Sequence, residues 1–152
     1  MTSIRLSIRS QLANAPLLGQ AVHAVCEYWK IDEETIFGIE LCVVEGVTNA
    51  IKHAYNLRPE NEVTVMLSAS GRRIEMEVSD NGFTMPAANA EALRKGSSVL
   101  DFDAGDLSSV PEHGMGLQII HTTMDEVGYT TEGNTNRLLM VKFLPGRDSP
   151  EL

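Results

Sequence analysis

The sequence predicts an α+β fold: a two-layer sandwich in which a mixed, mostly antiparallel sheet carries helices on one face. Three observations predict it. Two runs of alternating apolar and polar residues, Glu62 to Ala69 and Arg72 to Asp80, meet at Ser70-Gly71, a strong hairpin signal. Two helical patterns follow one another ahead of that hairpin, and few strands are separated by single helices, which argues against a doubly wound parallel sheet. The chain has 152 residues, 43% hydrophobic and 22% charged, which is about one domain at roughly 100–200 residues each. No internal repeat and no linker divides it, so residues 1–152 are expected to form one domain that buries its own core.

Taken in order, Ser3 to Arg9 alternates as a half-buried strand does. Leu17, Leu18, Ala21, Val22, Ala24, Val25 and Tyr28 mark a helix from Leu12 to Trp29, with Pro16 tolerated in its first turns. Asp32 is an N-cap for a long helix reaching about Tyr55, in which Ile36, Ile39, Val43, Val47, Ala50 and Ala54 form one buried stripe. Asn56 to Asn61, containing Pro59, is a loop before the hairpin. Asn81 to His113 is a long irregular stretch with one short helix, Ala87 to Lys95; loops of that length in a compact domain are commonly binding loops or lids. Gly116 to Met124 is helical, Val127 to Thr131 and Asn136 to Leu144 are a closing pair of strands, and the last residues are a frayed tail.

Composition limits function. With 21 acidic against 12 basic side chains the net charge is −9, which repels phosphate backbones, so no direct contact with nucleic acid through a basic face is expected. An anionic ligand must then be held by local devices such as backbone amides, helix ends or a metal. Cys26 and Cys42 have no metal-ligand spacing and read as reduced, half-buried thiols. The start, Met1-Thr-Ser-Ile-Arg-Leu6, lacks the apolar run of a signal peptide and nothing downstream is long enough to span a bilayer; a cytoplasmic protein without membrane attachment is expected.

Three segments carry chemistry. In the long helix, Glu45, Asn49 and His53 recur every fourth residue opposite the apolar stripe. A carboxylate, an amide oxygen and an imidazole in line can serve as general base, magnesium ligand and phosphate neighbour, or form an ordinary polar face. Asp80-Asn81-Gly82 ends an apolar strand; such an Asp can accept a hydrogen bond from an exocyclic amine, although the same triplet is a favoured tight turn. Gly114-Met115-Gly116 leads into a helix whose first N–H groups can bind phosphate oxygens, or it is a flexible loop end.

In chain order these make Glu-x-x-x-Asn-x-x-x-His on a helix, Asp-x-Gly after a strand and Gly-x-Gly opening a later helix. The arrangement resembles the GHKL-type ATPase domain of DNA gyrase, mismatch-repair ATPases and histidine kinases. Within that superfamily it is most similar to the stand-alone anti-sigma factors with serine/threonine kinase activity. The runs that carry the likeness are Glu45-Gly-Val-Thr-Asn-Ala-Ile-Lys-His-Ala-Tyr55, Gly114-Met-Gly-Leu-Gln-Ile-Ile120 and Asn136 to Leu144. The resemblance implies ATP and Mg²⁺ as cofactors. It implies Glu45 as the base that takes the proton of the attacking hydroxyl and Asn49 as the Mg²⁺ ligand. It likewise implies that His53 stands near the phosphates, that Asp80 binds the adenine amino group, that Gly82 gives the ring room, and that Gly114, Met115 and Gly116 form the edge of a lid over about 82–113. It further implies a homodimer that sequesters a sigma factor in one state and, in the other, phosphorylates or is held by a small antagonist carrying a target serine.

The chain departs from the family pattern in three places. Thr84 stands where a second glycine is usual, Glu112 and His113 stand where an arginine often precedes the Gly-x-Gly, and Leu12 to Trp29 contains no Lys or Arg. The loss of the arginine favours a second reading, a nucleotide-gated module that sequesters its partner with little kinase activity. A detached histidine-kinase domain fits less well: no helical hairpin with a phosphoacceptor histidine is read ahead of the domain, and His23 lies in an apolar helix that suits a structural role.

Overall fold

In the computed structural model the described residues are 1–95 and 114–146, with only the backbone of Gly114 and Met115. Most of the expected lid, with Glu112 and His113, therefore lies outside the described residues. Strand β1 (Thr2–Arg9) is followed by helices α1 (Asn14–Tyr28) and α2 (Glu33–Asn49), and α2 runs on through a π-helical turn, Ala50–Ala54. Strands β2 (Glu62–Ser70) and β3 (Arg73–Asp80), helices α3 (Ala87–Lys95) and α4 (Gly114–Thr123), and strands β4 (Glu126–Glu132) and β5 (Thr135–Phe143) complete the order. The strands form one sheet in the order β1-β2-β3-β5-β4. All four pairings are antiparallel, so the sheet is not mixed as the sequence suggested.

The sheet alternates cleanly. In β2 and β3, Val63, Val65, Leu67 and Ala69 and then Ile74, Met76 and Val78 point to the helical layer and are at most 2% exposed. The reverse face carries polar side chains such as Ser7, Thr64, Glu75 and Glu77. The β2–β3 turn holds Gly71 at φ +58°, where a side chain is disfavoured. β1 is an edge strand and is less covered than its alternation implied; Ile4 is 37% exposed.

Helix α2 forms because its apolar stripe meets the sheet and its start is capped. Asp32 accepts hydrogen bonds from the Thr35 N–H (2.9 Å) and the Thr35 hydroxyl (2.7 Å), and Glu33 and Glu34 complement the helix dipole. All six expected stripe residues, Ile36 to Ala54, are buried. α1 turns Leu18, Val22 and Cys26 into the core and meets α2 at Gly19, where a Cβ would lie 2.6 Å from Val44, whereas Leu17 and Tyr28 of the same expected pattern are 64% and 77% exposed. His23 joins the two helices: its Nδ1 lies 2.7 Å from Glu40, with Glu27 and Glu33 beside Nε2. Glu40's hydrogen bond, more than any other group, raises the His23 pKa above its usual value. This is the structural role expected of it.

Cys26 and Cys42 are free and wholly buried, and burial pushes their thiols up to about 12 and about 11. Among the described residues no helix is long and apolar enough to cross a membrane.

Candidate functional site

A cavity of about 410 Å³ opens between α2 with its π turn, the ends of β3 and β5, and the segment before α3. Gly46, Asn49, Ala50 and His53 line it from the helix, Val78 and Asp80 from β3, and Tyr129 and Leu138 from β4 and β5. Met85 and Pro86 close one side and Leu117 of α4 another. The walls are mainly apolar with a few polar groups placed along them, the usual character of a small-molecule site.

The π turn shapes this wall. The Tyr55 N–H donates to Ala50 O at 3.1 Å, an i to i−5 bond that widens the helix end, and π turns recur at functional sites. It also shifts His53 from strict register with Glu45 and Asn49. The carbonyl of Ala54 is left to accept from the Phe83 N–H at 2.8 Å, which pins the segment after β3 against the helix end. Gly82 is required by that approach, since a Cβ there would lie 2.2 Å from Ala54 O. Tyr55 fixes the same segment from below: its hydroxyl accepts from the Asn81 N–H at 2.8 Å and donates to Glu62 O at 2.7 Å. Gly82 and Phe83 also line an adjoining cavity of about 300 Å³ with Arg58.

Asp80 is 7% exposed at the end of β3. Burial raises its pKa above the ordinary carboxylate value, against the pull of hydrogen bonds from Asn136 and the Gly82 N–H. Both donors meet Oδ1, Asn136 Nδ2 at 2.8 Å and Gly82 N–H at 2.9 Å. Tyr129, also buried, accepts from the Met85 N–H at 2.9 Å and so anchors the far side of the loop.

Glu45 does not line the cavity. Its carboxylate sits beside Asn49 under the start of α4: a Cβ on Gly116 would lie 2.5 Å from Glu45 Oε2 and 3.7 Å from Asn49 Nδ2. A glycine at 116 is what lets α4 lie over both groups. Gly114 and Met115 form the first turn of that helix. Asn49 Nδ2 is buried with no hydrogen-bond partner among the described residues. An unsatisfied buried amide is costly unless a ligand completes it. A half-turn of that amide would bring its oxygen to the same place, next to a carboxylate, which is a donor set that suits Mg²⁺.

Of the residues singled out in the sequence, Asn49, His53 and Asp80 thus share one cavity, Glu45 and Gly116 meet at its edge, and Gly82 serves the loop. Asn136, Tyr55, Tyr129 and Thr84 were not singled out as site residues. Asn136 did carry a signal, since the alternation Asn136, Leu138, Met140 puts a polar amide on the core face of β5.

A buried carboxylate at a strand end, an unsatisfied amide on a long helix and a glycine-led helix over it, on an antiparallel sheet, define an ATPase-type nucleotide-binding domain. The family described as Histidine kinase-like ATPase domain matches residues 8–142. The serine-protein kinase RsbW of Listeria monocytogenes serovar 1/2a is 30% identical over 113 residues, 73% of this chain and 68% of that protein. RsbW of Bacillus mycoides is 32% identical over 108 residues, 70% of this chain and 62% of that protein. The chain therefore spans about two thirds of the length of these relatives. Among solved structures, the RsbU and RsbW domains of a Mycobacterium tuberculosis protein align with a TM-score of 0.65 at 13% identity, over 95% of this chain and 33% of that one. The catalytic domain of the histidine kinase ThkA aligns with a TM-score of 0.53 at 13% identity, over 99% of both chains, and such likenesses carry the fold. This chain belongs to the histidine kinase-like ATPase domain family.

Proposed function

We propose that the protein is an ATP-dependent serine/threonine protein kinase of the anti-sigma-factor type, which phosphorylates a small antagonist protein in a partner-switching system. The observation that carries the reading is the convergence of the candidate groups on one cavity and its edge. Asp80, Asn49 and His53 line one cavity, and the Glu45 carboxylate meets Asn49 at its edge, one helical turn from it along α2. A base amine at Asp80 would point the phosphates along α2 toward Glu45. The likeness to serine-protein kinases over most of the chain supports the same assignment.

In this reading the chain's own residues divide the work. Asp80 accepts the adenine amine, while Val78 and Leu138 cover the ring and Tyr129 and Met85 fix its surroundings. Asn49 would hold Mg²⁺, which would supply charge neutralisation at the phosphates. His53 and the N–H groups at the start of α4, Gly114 to Gly116, face the phosphates. Glu45 takes the proton of the incoming serine hydroxyl. A sigma factor is the partner sequestered when the antagonist is absent, and the working unit is a homodimer in the cytoplasm.

One observation favours the second reading, a nucleotide-gated binding module: Glu45 is covered by Gly116 instead of facing the cavity. Catalysis then requires the start of α4 to move when substrate arrives. Incubation with radiolabelled ATP, Mg²⁺ and a small antagonist protein carrying a target serine tests both readings. Label on an antagonist serine supports the kinase; a stable complex with no label, at any nucleotide concentration, leaves the binding module in its place.

A further inference from the structure

We propose that Asn136 is a positioning residue for nucleotide selection: by clamping one oxygen of Asp80 it reserves the other for a base amine, and so sets a preference for 6-aminopurine over 6-oxopurine nucleotides. This rests on the reading of the cavity as a nucleotide site.

Asn136 is the direct cross-strand partner of Asp80 in the β3–β5 ladder and is 1% exposed. Its Nδ2 donates to Asp80 Oδ1 at 2.8 Å and to the carbonyls of Gly82 at 3.1 Å and Phe83 at 3.3 Å. All three are acceptors without a hydrogen of their own, so only the NH₂ end of the amide can face them. The other end is held equally firmly. Asn136 Oδ1 accepts from the Thr84 hydroxyl at 3.0 Å and the Thr131 hydroxyl at 2.9 Å. Thr84, the residue standing where a second glycine is usual, thus contributes a side chain to the clamp.

Two consequences follow for Asp80. The Gly82 N–H also falls on Oδ1, at 2.9 Å, so Oδ1 is doubly engaged and Oδ2 is left as the acceptor for a ligand. The clamp also favours the ionised carboxylate, which burial disfavours. An ionised, fixed oxygen attracts the N–H of a 6-amino group and repels the lone pairs of a 6-oxo group. Without the clamp, the carboxyl can turn and protonate, and a protonated carboxyl can donate to a 6-oxo group. Discrimination should then shrink because adenine loses its acceptor while hypoxanthine gains a donor.

Calorimetry with ADP and inosine diphosphate on the full chain tests this, with folding checked by thermal denaturation. Wild type should prefer ADP. Asn136→Ala should weaken ADP about tenfold while leaving inosine diphosphate within about twofold, the effect of losing one hydrogen bond to a charged group. The pH below which ADP binding fails should rise, and the same substitution should add little in an Asp80→Asn background. Equal losses for both nucleotides, or a full tenfold loss added to Asp80→Asn, would overturn the proposal in favour of a merely structural role. Should Asn136→Ala not fold, Thr84→Ala keeps the amide but removes one of its two orienting hydroxyls. It should shift the ADP preference in the same direction by roughly threefold, and an unchanged preference overturns the proposal. A wild type that binds neither nucleotide overturns the nucleotide reading itself, whereas variants that keep the wild-type preference overturn only the role of Asn136.

Discussion

Gly82→Ala should destabilise the protein far more than an alanine in a tight turn ordinarily would. The added Cβ would stand 2.2 Å from Ala54 O, 2.5 Å from Ala54 C and 2.9 Å from Ala54 Cβ. Two of these three atoms are backbone, held at the end of the π turn, so no side chain can swing away. Reaching an ordinary contact of about 3.5 Å requires the two segments to part by roughly 1 Å. That movement breaks the 2.8 Å bond from the Phe83 N–H to Ala54 O. Overpacking of this kind costs about 1–3 kcal/mol, and the lost hydrogen bond adds roughly 0.5–1.5 kcal/mol. At about 2–4 °C per kcal/mol for a domain of this size, Tm should fall by on the order of 10 °C. Gly128→Ala is the control, since a Cβ there meets nothing within 4 Å. Differential scanning fluorimetry of the two variants beside wild type decides the matter. A Gly82→Ala protein that melts with wild type would refute the packing argument and return Gly82 to a role in admitting the base.

Further outcomes follow from the same geometry. Asp80→Asn should weaken ADP at least tenfold by calorimetry, because an amide cannot replace the charged acceptor, whose hydrogen bond is worth about 1.5–3 kcal/mol. Gly116→Ala should keep the fold, since the 2.5 Å contact is with the far end of the flexible Glu45 side chain, yet slow phosphate transfer by displacing that carboxylate. His23 has a pKa raised above 6.5, chiefly by Glu40, so its pairing stabilises fully below that value and is lost as pH rises through the raised one. The Tm gap between wild type and His23→Gln should therefore be widest in mildly acidic buffer and close in alkaline buffer. With thiols near 11 and 12, Cys42 and Cys26 should hold at most ~0.1% thiolate at about pH 8 and resist a thiol reagent until the protein is unfolded.

The elements that the sequence made legible are those set by local rules. The Asp32 cap, the stripe from Ile36 to Ala54, the Ser70-Gly71 hairpin and the helix Ala87–Lys95 all depend on neighbours within a few residues. What escaped depends on distant ones. Asp80 and Asn136 are 56 residues apart, and although the alternation in β5 marks Asn136 as a polar residue on the core face, nothing local names Asp80 as its partner. The close approach of Gly82 to Ala54 escaped because Ala54 is brought in by a π turn that no periodicity signals. Leu17 and Tyr28 fitted a helical pattern yet face outward, since it is Leu18, Val22 and Cys26 that α1 turns into the core. The two thiols were expected to be half-buried and are wholly so, as members of the core.

In the proposed kinase, Glu45 acts on the hydroxyl and Asn49 on the nucleotide. Single-turnover phosphorylation of the antagonist, measured beside nucleotide affinity for Glu45→Ala and Asn49→Ala, tests it most directly. A general base contributes roughly 10²–10⁴ in rate and little to ground-state binding. Glu45→Ala should therefore bind ATP as wild type does and transfer at least ~100-fold more slowly, while Asn49→Ala loses both magnesium-dependent binding and transfer. Transfer at the wild-type rate by Glu45→Ala would contradict the account.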